Sequence, residues 1–144
     1  MAETLGSLCD KLTIIKLKQF HSEHAKYLES LKSQEVQIID EINQFVADAL
    51  MGIIPLEKLS FAANKVYKQQ GNETRDITGS IGSVFSELAK VNCDLWHEQE
   101  KVYQFDKIPV DQKDIVVKKL AILNLVRNKC IDVINNSLIE LCNR

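Results

Sequence analysis

The placement of glycine and proline constrains the fold of this chain more than any other feature. In 144 residues, glycine occurs only at positions 6, 52, 71, 79 and 82, and proline only at 55 and 109. The stretch from Ser7 to Met51 contains neither, and as one unbroken helix it would be roughly 67 Å long at about 1.5 Å per residue. Within this stretch, mostly apolar side chains recur at the alternating spacing of four and three residues that is typical of a coiled-coil seam. The seam comprises Ile14, Leu17, His21, His24, Leu28, Leu31, Glu35, Ile38, Ile42, Phe45 and Ala49.

Three later segments also have helical periodicity. A short helix is expected from Leu56 to Tyr67, a longer one from Ile81 to Val102, and a last one from Val116 to Leu141. No segment alternates with the period of two that a half-buried strand requires. We therefore predict an all-α fold, an antiparallel helical bundle of three long helices and one short helix, in a single domain over residues 1–144. The sequence leaves open whether residues 7–51 form one helix or two. A kink or short break would fall near Ser30 to Gln34, since Ser33 is the weakest helix former there.

Composition and charge narrow the classes of function. The net charge of −2 argues against a general nucleic-acid binder, which would show a basic excess. Four scattered cysteines, at 9, 93, 130 and 142, include no Cys-x-x-Cys pair and are typical of thiols in a reducing cytoplasm. Neither a signal peptide nor a run of about 20 apolar residues is visible. We expect a cytoplasmic protein that binds neither nucleic acid nor membrane.

Polar residues interrupt two of the helical seams, and these interruptions need a physical explanation. Asn92 follows Leu88 by one turn, and Arg127 lies on the apolar line of the last helix. A buried amide or guanidinium without partners costs several kcal/mol. Unless Arg127 is simply exposed on the surface, two explanations are open: it pairs with an acid such as Asp10, Glu35 or Glu98, or its planar guanidinium lines a pocket that binds an anion or a sugar. Asn92 can fix the register of the helices or contact a ligand. Trp96 can anchor a core or an interface, or stack against a base or sugar.

Other chemistry finds little support in the sequence. His21 and His24 are three residues apart and Cys93 and His97 four apart, but no local set supplies the four ligands of a structural zinc site. Asp94-x-x-His97 gives one half of a di-iron pattern without the second half. Glycine-rich phosphate loops and nucleophile motifs are missing. We therefore expect no metal and no cofactor.

Three sequence blocks resemble an uncharacterised bacterial family of all-helical proteins, a domain of unknown function. The first block is the run from Gly6 to Ile14, with the pattern Gly-x-Leu-x-Asp-Lys-Leu-Thr-Ile. The second is Asn92-x-x-Leu95-Trp96, and the third is Asn124-x-x-Arg127 with a later Ile134-Asn135. The resemblance implies a bacterial helical protein and selects the residues that interrupt the seams, which are Asp10, Asn92, Trp96, Asn124 and Arg127. The family pattern has an acid three residues after the tryptophan, where this chain has Gln99 between Glu98 and Glu100.

Two hypotheses of function follow. The first is a non-enzymatic module that forms a homo-oligomer through the first-helix seam from Leu28 to Ala49, since a short second helix cannot cover all of this seam. A regulator that binds a different protein through the same seam would have the same sequence features, so the sequence does not distinguish the two. The second is a binding protein or enzyme for an anionic small molecule, such as a phosphate-containing or sugar-containing ligand. Its candidate ligand-binding residues are Asp10, Lys11, Asn92, Trp96, Asn124, Arg127 and Asn128.

Overall fold

Four α-helices form the fold in a computed structural model, which describes residues 2–61 and 74–144. They are α1 (Leu5–His21), α2 (Ala25–Leu50), α3 (Ile81–Tyr103) and α4 (Val110–Cys142), with single 3-10 turns at Leu56–Lys58 and Phe105–Lys107. No strand occurs within these two described ranges. The prediction of an all-α bundle is confirmed.

The stretch from Ser7 to Met51, for which the sequence left one helix or two open, forms two helices. The chain leaves helical geometry between α1 and α2, where Ser22 has φ −95° and ψ 138° and His24 has φ −82° and ψ 119°. The position expected for a kink or short break, near Ser30 to Gln34, is wrong, because α2 passes through that stretch without interruption and the break lies at residues 22–24. A segment without glycine or proline permits a long helix but does not require one, since most helical stability in proteins comes from tertiary packing. Here the break lets α2 fold back along α1.

The predicted count of three long helices and one short helix changes accordingly. The described helices have 17, 26, 23 and 33 residues. The short helix expected from Leu56 to Tyr67 begins as the 3-10 turn at Leu56–Lys58, and its part within residues 62–73 lies outside the described residues.

Contacts between side chains fix the directions of the helices. Glu35 of α2 accepts hydrogen bonds from Lys16 at 2.9 Å and Gln19 at 2.7 Å, so α2 returns antiparallel along α1. The pairs Gly6–Asn135 and Asp10–Arg127 show that α4 is antiparallel to α1. The pairs Thr13–Asn92 and His21–Trp96 show that α1 and α3 are parallel. The carboxyl ends of α1 and α3 therefore lie at the same end of the bundle as the α1–α2 turn.

The apolar core draws on all four helices and on the turn after α2. Its central members are Leu5, Cys9, Ala49, Leu59, Val84, Leu88, Val91, Val126, Cys130, Ile134 and Leu138. The predicted seam of α2 faces this interior, because Leu31 and Ala49 are buried and Ile42 and Phe45 pack partly buried. No helix in the described part of the chain is both long and apolar enough to cross a bilayer.

Gly6 sets the distance between α1 and α4. A Cβ atom at this position would lie 2.5 Å from the backbone oxygen of Ile131 and 2.9 Å from Oδ1 of Asn135. The same Asn135 oxygen accepts a hydrogen bond from the Gly6 amide at 2.7 Å, and both groups are buried. The first turn of α1 is further held by Thr4, whose side chain and that of Ser7 form a capping box. This close approach brings the next turn of α1 within reach of polar side chains on α4.

Candidate functional site

One turn after Gly6, the carboxylate of Asp10 meets the guanidinium of Arg127. Arg127 donates through Nε to Oδ1 of Asp10 at 2.8 Å and through Nη2 to Oδ2 at 2.5 Å. Two parallel bonds between a planar guanidinium and a carboxylate fix both distance and orientation. The first of the two explanations for Arg127 therefore matches the geometry, with Asp10 as its partner.

Asn92 of α3 completes this arrangement. Its amide nitrogen donates to Oδ1 of Asp10 at 2.8 Å and to the hydroxyl of Thr13 at 2.6 Å. The Thr13 hydroxyl in turn donates to the backbone carbonyl of Asp10 at 2.8 Å. Asp10, Thr13 and Asn92 are all buried. We refer to Asp10, Thr13, Asn92 and Arg127 as the Asp10 cluster, which ties α1 to both α3 and α4.

The electrostatics of the Asp10 cluster keep Arg127 charged. Its hydrogen bond to Asp10 raises the pKa of the guanidinium, and this effect and the charge of Asp10 outweigh the opposing effect of burial. A buried ion pair that loses one partner leaves an unpaired charge, which typically costs about 3–5 kcal/mol. Both carboxylate oxygens of Asp10 already accept hydrogen bonds. The geometry thus fits a structural ion pair that holds the helices together better than a binding site for an anionic ligand.

The other predicted ligand-binding residues lie away from this cluster. Lys11 follows Asp10 directly, but its side chain points elsewhere because neighbouring residues on a helix point about 100° apart. It is exposed and forms an ion pair with Glu3. On α4, Asn124 is exposed to solvent and Asn128 is half-buried. Trp96 belongs to a separate group of aromatic side chains. The structure therefore brings Asp10, Asn92 and Arg127 together but does not add the remaining candidates to them.

Trp96 stacks on a histidine near the end of the bundle. Its ring lies 4.8 Å from that of His21, with the two planes within 7° of parallel. His97 meets the same imidazole edge-on at 5.9 Å. The indole N–H of Trp96 donates to Glu100 at 2.8 Å, which supplies the acceptor that a partly buried tryptophan needs. This contact joins the last turn of α1 to the middle of α3.

A surface cavity of about 470 Å³ adjoins this stack at the α1–α2 turn. We call it the turn cavity, and its lining residues are Lys18, His21, Ser22, Glu23, His24, Tyr27 and Trp96. Sequence reasoning singled out only Trp96 as a ligand contact here. The signal available was the pair His21 and His24 on the predicted seam, but their meaning depended on a break in the helix that the sequence did not reveal.

Glu98 is a second buried carboxylate, at the α3–α4 interface. Its Oε1 atom accepts from Lys119 at 2.9 Å and from Lys101 at 3.0 Å. Burial acts to raise the pKa of Glu98, but the hydrogen bonds from Lys119 and Lys101 and their positive charges hold it below its ordinary value. Its Oε2 atom is buried without a hydrogen bond to any described group.

The described residues offer little for metal or thiol chemistry. Within residues 2–61 and 74–144, no three or more histidine, cysteine, aspartate or glutamate side chains lie close enough together to hold a metal ion. Burial, with a smaller effect of the Asp10 charge, raises the pKa of the Cys9 thiol to about 12. Burial also raises the pKa of Cys130. These two thiols therefore stay protonated near neutral pH and behave as small apolar side chains.

Comparison with known proteins gives no relative for this chain. No protein-family model, no curated protein and no solved structure matches it. The resemblance of the three sequence blocks to an uncharacterised bacterial family therefore stays a prediction.

Proposed function

We propose that this protein is a non-enzymatic helical module that pairs with a second copy of itself through α2. The observation that carries this proposal is a row of exposed apolar side chains on α2, of which Ile39 also lines a groove with Leu17 of α1 and Phe85 of α3. Val36, Ile39 and Leu50 are large side chains that are 56%, 40% and 59% exposed. Extended apolar surface of this kind is rare on monomers and marks sites of association.

The exposed row differs from the seam that the sequence indicated. The Leu28 to Ala49 seam is turned toward α1 and the core, so it is largely covered by the chain itself. The exposed row runs beside it at the three-and-four spacing of a coiled coil. We call it the α2 stripe. It comprises Val36, Ile39, Asn43 and Leu50, which are exposed, and Val46, which is half-buried and also packs against the core.

The α2 stripe is self-complementary when two copies of α2 pack antiparallel. With Asn43 at the centre, Val36 of one copy faces Leu50 of the other, and Ile39 faces Val46. A two-fold interface needs this match, because each residue must meet its counterpart in both directions. Asn43 would then meet its own copy, and a polar residue within an apolar seam fixes register and orientation.

The charge and composition of the chain fit this role in the cytoplasm, where its four free cysteines would stay reduced.

The oligomeric state in solution tests the proposal. We expect light scattering during size-exclusion chromatography to give about twice the 16.4 kDa chain mass at concentrations of tens of micromolar. The Ile39→Lys variant should shift to the monomer mass, since it places a charge in the middle of the apolar contact. Ile115→Lys on α4 is the matched control, because Ile115 is also an exposed isoleucine, and it should leave the mass unchanged.

Two outcomes contradict the proposal. One is a wild-type mass equal to that of a single chain across this concentration range. The other is a dimer that Ile39→Lys and Ile115→Lys disrupt equally, which would place the contact elsewhere. Circular dichroism of each variant checks that the helices are retained.

A further inference from the structure

We infer that the turn cavity binds a small molecule that carries a flat ring and a single anionic group. This inference goes beyond self-association and does not depend on it, because the turn cavity is lined by residues 18–27 and 96 and the α2 stripe begins at Val36. The cavity of about 470 Å³ lies within the range of roughly 300–1,000 Å³ that holds small organic ligands.

The flat ring follows from the aromatic side chains around the cavity. Trp96 and His21 stack with parallel planes. Tyr27, on the first turn of α2 and with nearly half of its surface exposed, lines the same cavity. Three rings from three different segments therefore line one depression. Aromatic faces bind flat rings of many kinds, because stacking depends on the shared π surface rather than on specific hydrogen bonds.

The anionic group follows from Lys18. Helix α1 has three lysines, and two of them have carboxylate partners, Lys11 with Glu3 and Lys16 with Glu35. The ammonium group of Lys18 has no ion pair within the described part of the chain, although its side chain is half-buried and lines the turn cavity. An unpaired cation beside an aromatic wall attracts a negatively charged group.

Two further groups refine the ligand. His24 also lines the cavity, and its imidazole offers a hydrogen-bonding group to a ligand held there. Glu23 also lines the cavity and contributes one negative charge, which disfavours ligands with several negative groups. A monophosphate or a carboxylate on a ring therefore fits better than a di- or triphosphate.

Trp96 makes this inference directly measurable, since it is the only tryptophan of the chain and gives a single indole N–H signal in a ¹H–¹⁵N spectrum. Three probes cover the ligand class: adenosine 5′-monophosphate, phenyl phosphate and indole-3-acetate. We expect at least one of them to shift the Trp96 indole signal saturably, with half-saturation below about 1 mM. Adenosine and inorganic phosphate, which each lack one of the two features, should bind at least fivefold more weakly than adenosine 5′-monophosphate if that probe binds.

Variants of two lysines on the same helix locate the anionic contact. Lys18→Ala should weaken binding of the best probe at least fivefold, and Lys11→Ala should change it less than twofold. The indole signal also reports that each variant is folded. Repeating the titration on Ile39→Lys separates the two proposals, because that substitution removes self-association and should leave the turn cavity unchanged.

The inference is overturned if none of the three probes shifts the Trp96 signal saturably up to about 10 mM. It is also overturned if Lys18→Ala and Lys11→Ala weaken binding to the same extent, since the anion would then be recognised by overall charge rather than in the cavity.

Discussion

Asp10 and Glu98 are both buried carboxylates that pair with cations of α4, yet their surroundings differ. Asp10 is 5% exposed and Glu98 is 4% exposed. Both oxygens of Asp10 accept hydrogen bonds, from the rigid fork of Arg127 and from the amide of Asn92. Glu98 receives two lysine amines on one oxygen, while its other oxygen has no partner among the described residues.

The difference teaches that burial alone does not make a carboxylate fix the positions of neighbouring helices. The side chains of Lys101 and Lys119 are 53% and 55% exposed, so water competes for their amines and screens their charge. Arg127 is mostly buried and its planar group offers two donors in fixed directions. We therefore expect Asp10 to determine how α1 packs against α3 and α4. Glu98 is expected to contribute a smaller, pH-dependent stabilisation.

The largest expected effect comes from removing the carboxylate of Asp10. Asp10→Ala leaves the Arg127 guanidinium and the Asn92 amide without their acceptor, which should lower the free energy of unfolding by about 3–5 kcal/mol. Urea denaturation followed by circular dichroism measures this change. A loss below about 1 kcal/mol would show that water replaces the carboxylate easily, and would remove the contrast with Glu98.

A smaller effect is expected from separating α1 and α4. Gly6→Ala places a methyl group against the Ile131 backbone and Asn135, so we expect a destabilisation of about 1–3 kcal/mol. Gly82→Ala is the matched control, because a Cβ atom there meets nothing within 4 Å and alanine favours the helix. Thermal unfolding of both variants should give shifts of opposite sign. Equal shifts would mean that the close approach at Gly6 does not position the Asp10 cluster.

The smallest effect is expected at Glu98, and it should depend on pH. Glu98→Gln removes the charge that pairs with Lys101 and Lys119 and should cost about 1 kcal/mol near neutral pH. Because the pKa of Glu98 is held below its ordinary value of 4.5, its contribution is present above that pH and is lost as the pH falls through the lower folded value. The stabilities of wild type and Glu98→Gln, measured by urea denaturation from pH 7 to pH 3, should therefore converge in acid. A constant difference would contradict the pairing.

The sequence predicted the helical fold and singled out Asp10, Asn92 and Arg127, because a polar residue on an apolar seam must find a partner. It left the partner of Arg127 open among Asp10, Glu35 and Glu98, since that choice depends on how α1 and α4 are aligned. Gly6 fixes this alignment through a contact with Ile131 that no local pattern shows.

The break between α1 and α2 explains most of what the sequence did not reveal. Residues 22–24 contain neither glycine nor proline, and Ser22 is no weaker a helix former than Ser30 or Ser33, so helix propensity does not distinguish this interruption from the one expected near Ser30 to Gln34. An unbroken helix places His24 one turn beyond His21 on the same seam, whereas the break turns the chain and creates the turn cavity. The position of Trp96 became clear with it, since the candidate core anchor or ligand contact is a ring that stacks on His21.

A double-mutant cycle on Asp10 and Arg127 tests the central claim most directly. The free energies of unfolding of wild type, Asp10→Ala, Arg127→Ala and the double variant are compared under one set of conditions. If the two residues form a structural ion pair, the double variant should be little worse than either single variant, with a coupling energy of about 2 kcal/mol or more. Costs that simply add to within about 0.5 kcal/mol would show that Asp10 and Arg127 act independently, and would contradict this account of how the helices are joined.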